Sequence, residues 1–533
     1  VPVPEFSDSR RLLGPSRWLD SPGVVLEGHV AAEHATEMAS RWREVVVRLA
    51  ASLGWPVPTI AVQQHDDHLV LAFTAPGDRL LTATEVNEWA WEAAGRALGL
   101  PGEPPRLSPG DLPRSEAEAV GQLAVLAEIE QRAPSSELAV RAAAAQHVAL
   151  VTGSNGKTTT TRLIAAMTTA HGWRSGWNCT DGVFIEGVAV EHGDWSGPGG
   201  AQRVVSDPVV EAAVLETARG GILRRGLGVL DADVAVVTNV EADHFGEYGV
   251  RNLADLARVK LVTAKGLGPN GVLVLNADDD TLRAATLPEG VRVRWWAVSG
   301  ADTGVVLDAW REGDHLWLRD GEGIHDLGDV RTMPLTVGGS ATYNIANILA
   351  ATLAASSLGV PAGTIAEVVH RFGTRPEDNA GRLSHFRLAG FEILLDYAHN
   401  PTGLTGLLAV ARSLAPRRLL LLLGQAGNRE DDALAALAEA AWSARPDRIV
   451  LKELEGYRRG REQGEVPALL GAELLRLGAS PEQLVTVLDE VEAVEAALAW
   501  AQPGDLLVLP VHGLEARGDV LARLAARGAT IAG

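Results

Sequence analysis

The sequence predicts an α/β protein of three units: a small α+β unit, a central parallel sheet with a small antiparallel insertion, and a smaller C-terminal α/β sheet. Three observations carry this. A chain of 533 residues is too long for one hydrophobic core and suggests roughly three domains. From about residue 145, short apolar runs alternate with amphipathic stretches, the signature of a parallel sheet wrapped by helices. The same alternation starts afresh near residue 380.

The first unit, residues 1–142, mixes strands such as HLVLAFTA (68–75) with helical runs such as EHATEMASRWREVVVRLAASLG, where apolar residues recur every three or four positions. A Pro/Gly-rich passage, LGLPGEPPRLSPGDLP, interrupts it. In QQHDDHLV, His65 and His68 flank two aspartates; no third and fourth metal ligand lies nearby, so a polar hairpin turn explains them better. Trp18, Trp42, Trp55, Trp89 and Trp91 read mainly as core, with a binding face as the alternative. In the central unit, residues 143–378, strands are expected at HVALVTG, EAAVLETA, ADVAVVTNV, GVLVLNADD and VRVRWWAVSG. The alternating stretch GVVLDAWREGDHLWLRDGEGIHDL predicts the antiparallel insertion, and a helix follows over TYNIANILAATLAASSLG, ended by Gly359. The third unit, residues 379–533, has strands at FEILLDYA, RRLLLLLGQ, RIVLKEL, LVTVL and DLLVLPV, and is expected to be Rossmann-like.

Composition narrows the function classes. Lys plus Arg total 47 against 68 Asp plus Glu, a formal charge of -21, and there is no long basic run, so nucleic acid is not an expected partner. No apolar run reaches membrane-spanning length, and VPVPEFSDSRRLLG lacks a signal-peptide pattern, so the expectation is a cytoplasmic protein without a membrane partner. The single cysteine, Cys179, forms no intramolecular disulfide and agrees with a reducing compartment. With no His partner in its vicinity it reads as a small half-buried residue rather than a nucleophile.

The most informative stretch is VTGSNGKTTTTRLIAAM, residues 151–167, between a predicted strand and a predicted helix. Gly153 and Gly156 allow the backbone around Ser154 and Asn155 to curl so that successive N–H groups point inward, and the helix N-terminus adds a positive dipole end. Lys157 would reach the β and γ phosphates of a nucleotide; Thr158, followed by Thr159, would offer its hydroxyl to Mg²⁺. The spacing departs from G-x-x-x-x-G-K-[ST], because Val151 stands six residues before Lys157. Further magnesium ligands are sought at neighbouring strand ends: Glu216 in AVLETARGG and His244 in VVTNVEADHFGEYG, which a parallel sheet would bring to one crevice with Thr158. A nucleotide and Mg²⁺ are thus expected at a P-loop-type central domain, and the resemblance below makes that nucleotide ATP.

These residues resemble the ATP-dependent Mur ligases, a family that includes folylpolyglutamate and cyanophycin synthetases. TGSNGKTTT resembles the family's ATP loop, TNVEADHFGEYG its central strand and histidine, YNIANILAA its asparagine-bearing helix, NAGRLSHF its Gly-Arg motif and LLDYAHNP its C-terminal signature, in the family's order over about residues 146–533. Within the family, LETARGGILRRGLG (215–228) and LKELEGYRRGREQGEVPALL (451–470) are similar to the cyanophycin synthetase branch, as is, more weakly, the opening RRLLGPSRWLDSPGVVLEG. The ATP-grasp ligase that this branch places between the two regions has no room here. In GQAGNRED (424–431), Asn428 precedes Arg429 where the family often has Gly-Asp-Arg.

The resemblance implies an ADP-forming ligase that joins a small-molecule or peptide-like carboxylate to an amine through an acyl phosphate. Lys157, Glu216, His244 and Lys260 are its implied catalytic residues, with Thr158, Glu216 and His244 on metal. Lys260 is either the family's carbamylated metal-binding lysine or a surface helix lysine. Asn344, which shares a helix face with Asn347, is implied at adenine, and Arg382 and Asp396 at phosphate and ribose. Tyr397, His399 and Asn400 are expected to shape the loop they share. Arg219, Arg224 and Arg461 are either anion contacts or structural ion-pair residues. The N-terminal unit is expected to hold an extended substrate or to build a homo-oligomer. Two rival readings are a nucleotide-binding partner or regulatory subunit of another ligase, and a P-loop kinase, which the C-terminal motifs disfavour.

Overall fold

A computed structural model of the chain describes residues 6–64, 68–100, 116–132, 139–141, 146–242, 245, 247–300, 303–427, 429–454 and 456–532. The N-terminal unit runs β1 (Phe6–Leu12), β2 (Gly23–His29), α1 (Ala32–Ser52), β3 (Ile60–Gln64), β4 (His68–Thr74), α2 (Leu80–Ala97) and α3 (Glu116–Arg132). Its strands form an antiparallel sheet in the order β1-β2-β4-β3. Side chains alternate across β4: Leu69, Leu71 and Phe73 pack on the helices, while Val70 and Ala72 join the opposite face. Trp42 and Trp91 are wholly inside the helix–sheet core, where the Trp42 indole donates to Asn87 Oδ1 at 2.9 Å. Trp55 and Trp89 pack at the rim of that core. Of the QQHDDHLV turn, residues 65–67 lie outside the described residues; the strands on either side pair antiparallel, and His68 sits 3.5 Å from Glu27.

The central unit comprises β5 (Val140–Arg141), β6 (His147–Thr152), α4 (Lys157–Ala170), β7 (Ser175–Cys179), β8 (Gly182–Ile185), β9 (Val188–His192), α5 (Pro198–Val205), β10 (Ala212–Glu216), α6 (Arg219–Arg225), β11 (Val229–Leu230), β12 (Ala232–Val237), α7 (Leu253–Lys260), β13 (Leu267–Asn276), α8 (Asp280–Arg283), β14 (Arg292–Ala297), β15 (Leu307–Glu312), β16 (His315–Arg319), β17 (Ile324–Asp329), α9 (Thr342–Leu358) and α10 (Ala362–Val369). Among the described residues its main sheet has eleven strands in the order β17-β16-β15-β14-β13-β12-β6-β10-β7-β8-β9. The strands from β15 to β7 are parallel, and both edges end in antiparallel hairpins. The expected antiparallel insertion is therefore a continuation of the sheet, because β15 pairs parallel with β14 before the chain turns back. Both faces are covered: α4, α9 and α10 pack on Ala149, Val151 and Val236, and α5, α6 and α7 on Val148, Leu150 and Val237. This is why the central strands read as unbroken apolar runs.

The C-terminal unit runs β18 (Ser384–Leu388), β19 (Phe391–Asp396), α11 (Pro401–Ser413), β20 (Leu419–Leu423), α12 (Asp431–Ser443), β21 (Arg448–Leu451), α13 (Glu465–Arg476), β22 (Leu484–Thr486), α14 (Glu490–Trp500), β23 (Leu506–Pro510), α15 (Leu514–Ala526) and β24 (Thr530–Ile531). Its sheet order is β22-β21-β20-β23-β19-β18-β24, parallel from β22 to β19. Helices α11 to α13 cover one face, α14 and α15 the other.

The N-terminal unit is fastened to the central one by directional bonds. Leu13 N–H donates to Arg225 O at 2.8 Å and Leu227 N–H to Pro15 O at 2.8 Å. Arg17 reaches Gly249 O at 3.2 Å and Asp255 at 3.2 Å, and Arg10 lies 4.6 Å over the Tyr248 ring. Among the described residues no helix is long and apolar enough to cross a membrane.

Candidate active site

The phosphate loop leaves the C-terminal end of β6 and enters α4 through Gly156, whose φ of 85° lies in the left-handed region. A Cβ on Gly156 would overlap Asn347 Oδ1, and one on Gly153 would overlap Thr238 Oγ1. Glycine is required at both positions by neighbouring side chains as well as by the turn. The segment after β12 braces the loop: Asn239 Oδ1 accepts from Ser154 N–H at 3.1 Å and Asn155 N–H at 2.9 Å, and Thr238 Oγ1 donates to Asn155 O at 2.6 Å. Glu241 accepts from the Asn155 amide at 2.7 Å. Sequence reasoning did not single out Thr238, Asn239 and Glu241, although all three fall in the TNVEADH stretch. Lys157 folds back over the loop, its ammonium donating to Ser154 O at 3.0 Å and Gly153 O at 3.2 Å.

Glu216, at the end of β10 beside β6, is wholly buried. Its carboxylate accepts from Thr158 Oγ1 at 2.8 Å and Thr180 Oγ1 at 3.2 Å. Burial pushes its carboxyl above the usual range, against the opposing pull of Lys157 and Thr158. A buried carboxylate met by two neutral hydroxyls, with an ammonium near, suits a divalent cation whose remaining ligands are water and phosphate oxygen, the way magnesium is ordinarily held. Among the described residues no group of three His, Cys, Asp or Glu side chains forms a closed metal cage. His244 lies outside the described residues, as does Asn428.

The third unit reaches this crevice with the loop after β19. Asn400 caps α11 by accepting from Gly403 N–H at 2.8 Å, and its amide donates to Asn155 Oδ1 at 2.9 Å, tying the C-terminal unit to the phosphate loop. Arg382 stacks 3.9 Å over Tyr397, and its Nε has no hydrogen-bond partner among the described residues. Asp396 accepts from Leu383 N–H at 2.6 Å and Ala398 N–H at 2.7 Å; burial raises its carboxyl while Arg382 opposes the rise. Thr159 accepts from Asn379 at 3.3 Å, just before Arg382. Asn344 and Asn347 do share one face of α9: Asn344 donates to Leu335 O at 3.0 Å and accepts from Asn347 at 3.1 Å. Ser154, Asn155, Gly156, Lys157, Thr158, Thr159, Glu216, Asn344, Arg382 and Asp396 all line one cavity of about 540 Å³.

A second cavity, of about 830 Å³, opens on the other side of the loop and shares Ser154, Lys157 and His399 with the first. Gly153 and Lys260 line it, with Arg219, Arg224 and Arg459. Lys260, 2% exposed, is no surface lysine: the last turn of α7 buries it with Leu256 and Val259. Arg219 and Arg224 line this cavity, and Arg224 Nε also donates to Gly220 O at 3.1 Å. Arg461 is structural: it binds Asp431 at 2.7 Å, Glu465 at 2.9 Å and the carbonyls of Gly427 and Arg429. The N-terminal unit contributes Ser7, Asp8 and Glu27 to its lining, and the central unit adds Asp194 and Ser196.

A parallel sheet with a phosphate loop at its C-terminal edge, met by a loop from a second parallel sheet, defines a two-lobed nucleotide-binding protein. Residues 151–355 match the Mur ligase middle domain and residues 381–510 the Mur ligase glutamate ligase domain. The chain is 36% identical over 368 residues to a cyanophycin synthetase of Trichormus variabilis, covering 67% of this chain and 40% of that one. It is 30% identical over 438 residues to the UDP-N-acetylmuramoyl-L-alanyl-D-glutamate--2,6-diaminopimelate ligase of Xanthomonas campestris pv. campestris, covering 78% and 81%. The structure of E. coli FolC in complex with DHPP and ADP superposes with a TM-score of 0.52 at 18% identity, over 72% of this chain and 89% of that one, a likeness of fold. The chain thus belongs to the Mur ligase family of ATP-dependent ligases. It spans about two fifths of the length of the cyanophycin synthetases it matches.

Proposed function

We propose that the chain is an ADP-forming amide ligase that activates a carboxylate as an acyl phosphate and passes the acyl group to an amine. The observation that carries this is the junction of the two cavities at Lys157: one is floored by the phosphate loop, the other is lined by Lys260, Arg219, Arg224 and Arg459. A nucleotide in the first cavity would present its terminal phosphate at the mouth of the second. A carboxylate held by the cationic wall then attacks the γ-phosphorus, the bond to the β-phosphate oxygen breaks, and ADP leaves. The amine attacks the acyl carbon, phosphate departs, and the amide remains.

In this reading Lys157 leaves its two loop carbonyls for phosphate oxygens and stabilises charge in the transferring group. Arg382 supplies its unpaired Nε–H from the second lobe, and Asn400 couples that lobe to the loop. Thr158 and Glu216, with His244, would hold Mg²⁺, which withdraws charge from the phosphates when bound. Lys260 is the candidate for carbamylation at the second cavity. Asn344 faces the base and Asp396 the ribose. Asp8, Glu27 and Asp194 add carboxylates to the same lining, with Arg10 paired to the first two, so the cavity offers contacts to an amine as well as to a carboxylate.

The test is phosphate release from Mg-ATP by the purified chain with pooled carboxylic acids paired with each amino acid, with Lys157→Ala as control. Release that depends on both substrates, with a matching amide by mass spectrometry, is the expected result. Release that needs neither, or phosphorylation of a hydroxyl, refutes the ligase reading.

A further inference from the structure

The C-terminal unit contains buried charge that the reaction above does not use. Lys452 is 0% exposed, Glu490 8% and His512 9%. Each sits at the C-terminal edge of the sheet: Lys452 follows β21, His512 follows β23, and Glu490 opens α14. Glu490 pairs with Lys452 and accepts from His512 N–H at 2.9 Å and Gly513 N–H at 2.7 Å. The Lys452 ammonium also lies 3.0 Å from His512 Nδ1. An ammonium has no acceptor, so Nδ1 must accept, which fixes the proton of a neutral imidazole on Nε2. His512 Nε2 lies 3.0 Å from Ala398 O and donates to it.

Strand β20 stands between β21 and β23, so the Lys452 side chain has to cross its end to reach His512. It crosses at Gly424, where a Cβ would come within 2.8 Å of Lys452 Cγ and 2.6 Å of Lys452 O. The next residue, Gln425, donates to His399 O at 2.6 Å. The ends of β20, β21 and β23 are thereby linked to the loop that carries Asp396, Tyr397, His399 and Asn400.

We propose that Lys452, Glu490 and His512 are positioning residues: a buried hydrogen-bonded row that sets the Ala398 carbonyl and so holds the 396–400 loop in register with the phosphate loop. Burial, followed by the nearness of Lys452, lowers the tendency of His512 to protonate, in keeping with the tautomer the contacts require. Burial works against the Glu490 charge, but Lys452 and the His512 contacts hold its carboxyl below the usual range. Burial lowers the Lys452 ammonium as well, against the pull of Glu490. Its significance for catalysis rests on the ligase reading; its effect on the loop does not.

The test uses the full chain with His512→Phe, His512→Gln and Gly424→Ala. Hydrogen–deuterium exchange of peptides covering 396–402 is expected to quicken about tenfold or more in His512→Phe, with β20 unchanged. The dissociation constant for ADP is expected to rise about tenfold, and His512→Gln, whose amide can still donate to Ala398 O, to recover within about threefold of wild type. A purely architectural role would lower the melting temperature without that rescue, and would overturn the proposal. So would unchanged exchange over 396–402 in folded His512→Phe. If His512→Phe does not fold, Gly424→Ala decides: it keeps all three side chains but obstructs the crossing, and unchanged exchange there refutes the row. If wild type binds no ADP, the ligase reading fails while the exchange result still decides this one.

Discussion

Gly156→Ala tests the phosphate loop through two separable costs. An alanine at φ 85° pays for a left-handed backbone, roughly 1–2 kcal/mol. Its Cβ also overlaps Asn347 Oδ1, and forcing a methyl into a packed site costs about 1–3 kcal/mol more. Asn347→Ala alone loses the 3.1 Å bond to Asn344 Oδ1, worth about 1 kcal/mol. The double variant keeps the backbone strain and the lost bond but relieves the overlap, so it should be about 2–3 kcal/mol below wild type. The single variants, if independent, would sum to about 3–6 kcal/mol. Hydrogen exchange of α4 amides reads these differences locally, and ADP titration reports whether the loop still binds. A double variant as unstable as the two singles summed would refute the close approach of α9 to the loop.

Lys157→Ala should lower substrate-dependent phosphate release by about 10²–10³-fold, with folding unchanged by circular dichroism; a tenfold effect or less would remove Lys157 from the chemistry. Glu216→Gln should lose Mg-ADP affinity yet gain thermal stability without ligand. The folded-state pKa of Glu216 is raised, so its stabilising contribution exists at low pH, below the unfolded value, and is lost as pH rises through the folded one. The melting temperatures of wild type and Glu216→Gln should therefore diverge as pH rises above about 4.5, and parallel curves would contradict the burial. Cys179 is buried and its thiol pushed up to about 11, by burial first and by Glu216 and Asp181 after. Alkylation at pH 8 should run on the order of a hundredfold slower than for an ordinary exposed thiol, and fast labelling would show that the C-terminal end of β7 opens.

The parallel strands were legible because burial on both faces leaves continuous apolar runs such as those of β12 and β20. The β8–β9 flap was not, because VFIEGVAVEH is short, carries Gly and Glu, and has a half-exposed outer strand that leaves no such run. The phosphate loop was readable because strand, glycines, lysine and helix are contiguous. Glu216 was found from its place at a strand end, and lies 2.8 Å from Thr158. Burial of Lys260 was undecidable from sequence: the spacing of α7 fits a surface lysine, and only the packing of its last turn settles it. The row from Lys452 to His512 joins residues 60 positions apart that share no pattern. Asp8 and Glu27 belong to a strand pair that alternates like any other, and nothing local shows that it meets a cavity whose other lining residues run from Gly153 to Arg459.

That last feature divides the labour of the chain along its length. The first cavity is lined by residues between 154 and 409, whereas part of the lining of the second comes from residues between 7 and 27. In the ligase we propose, selectivity and power are thus encoded in separate stretches of the chain. Substitutions at Asp8 or Glu27 would change the lining of the second cavity without altering a residue that lines the first.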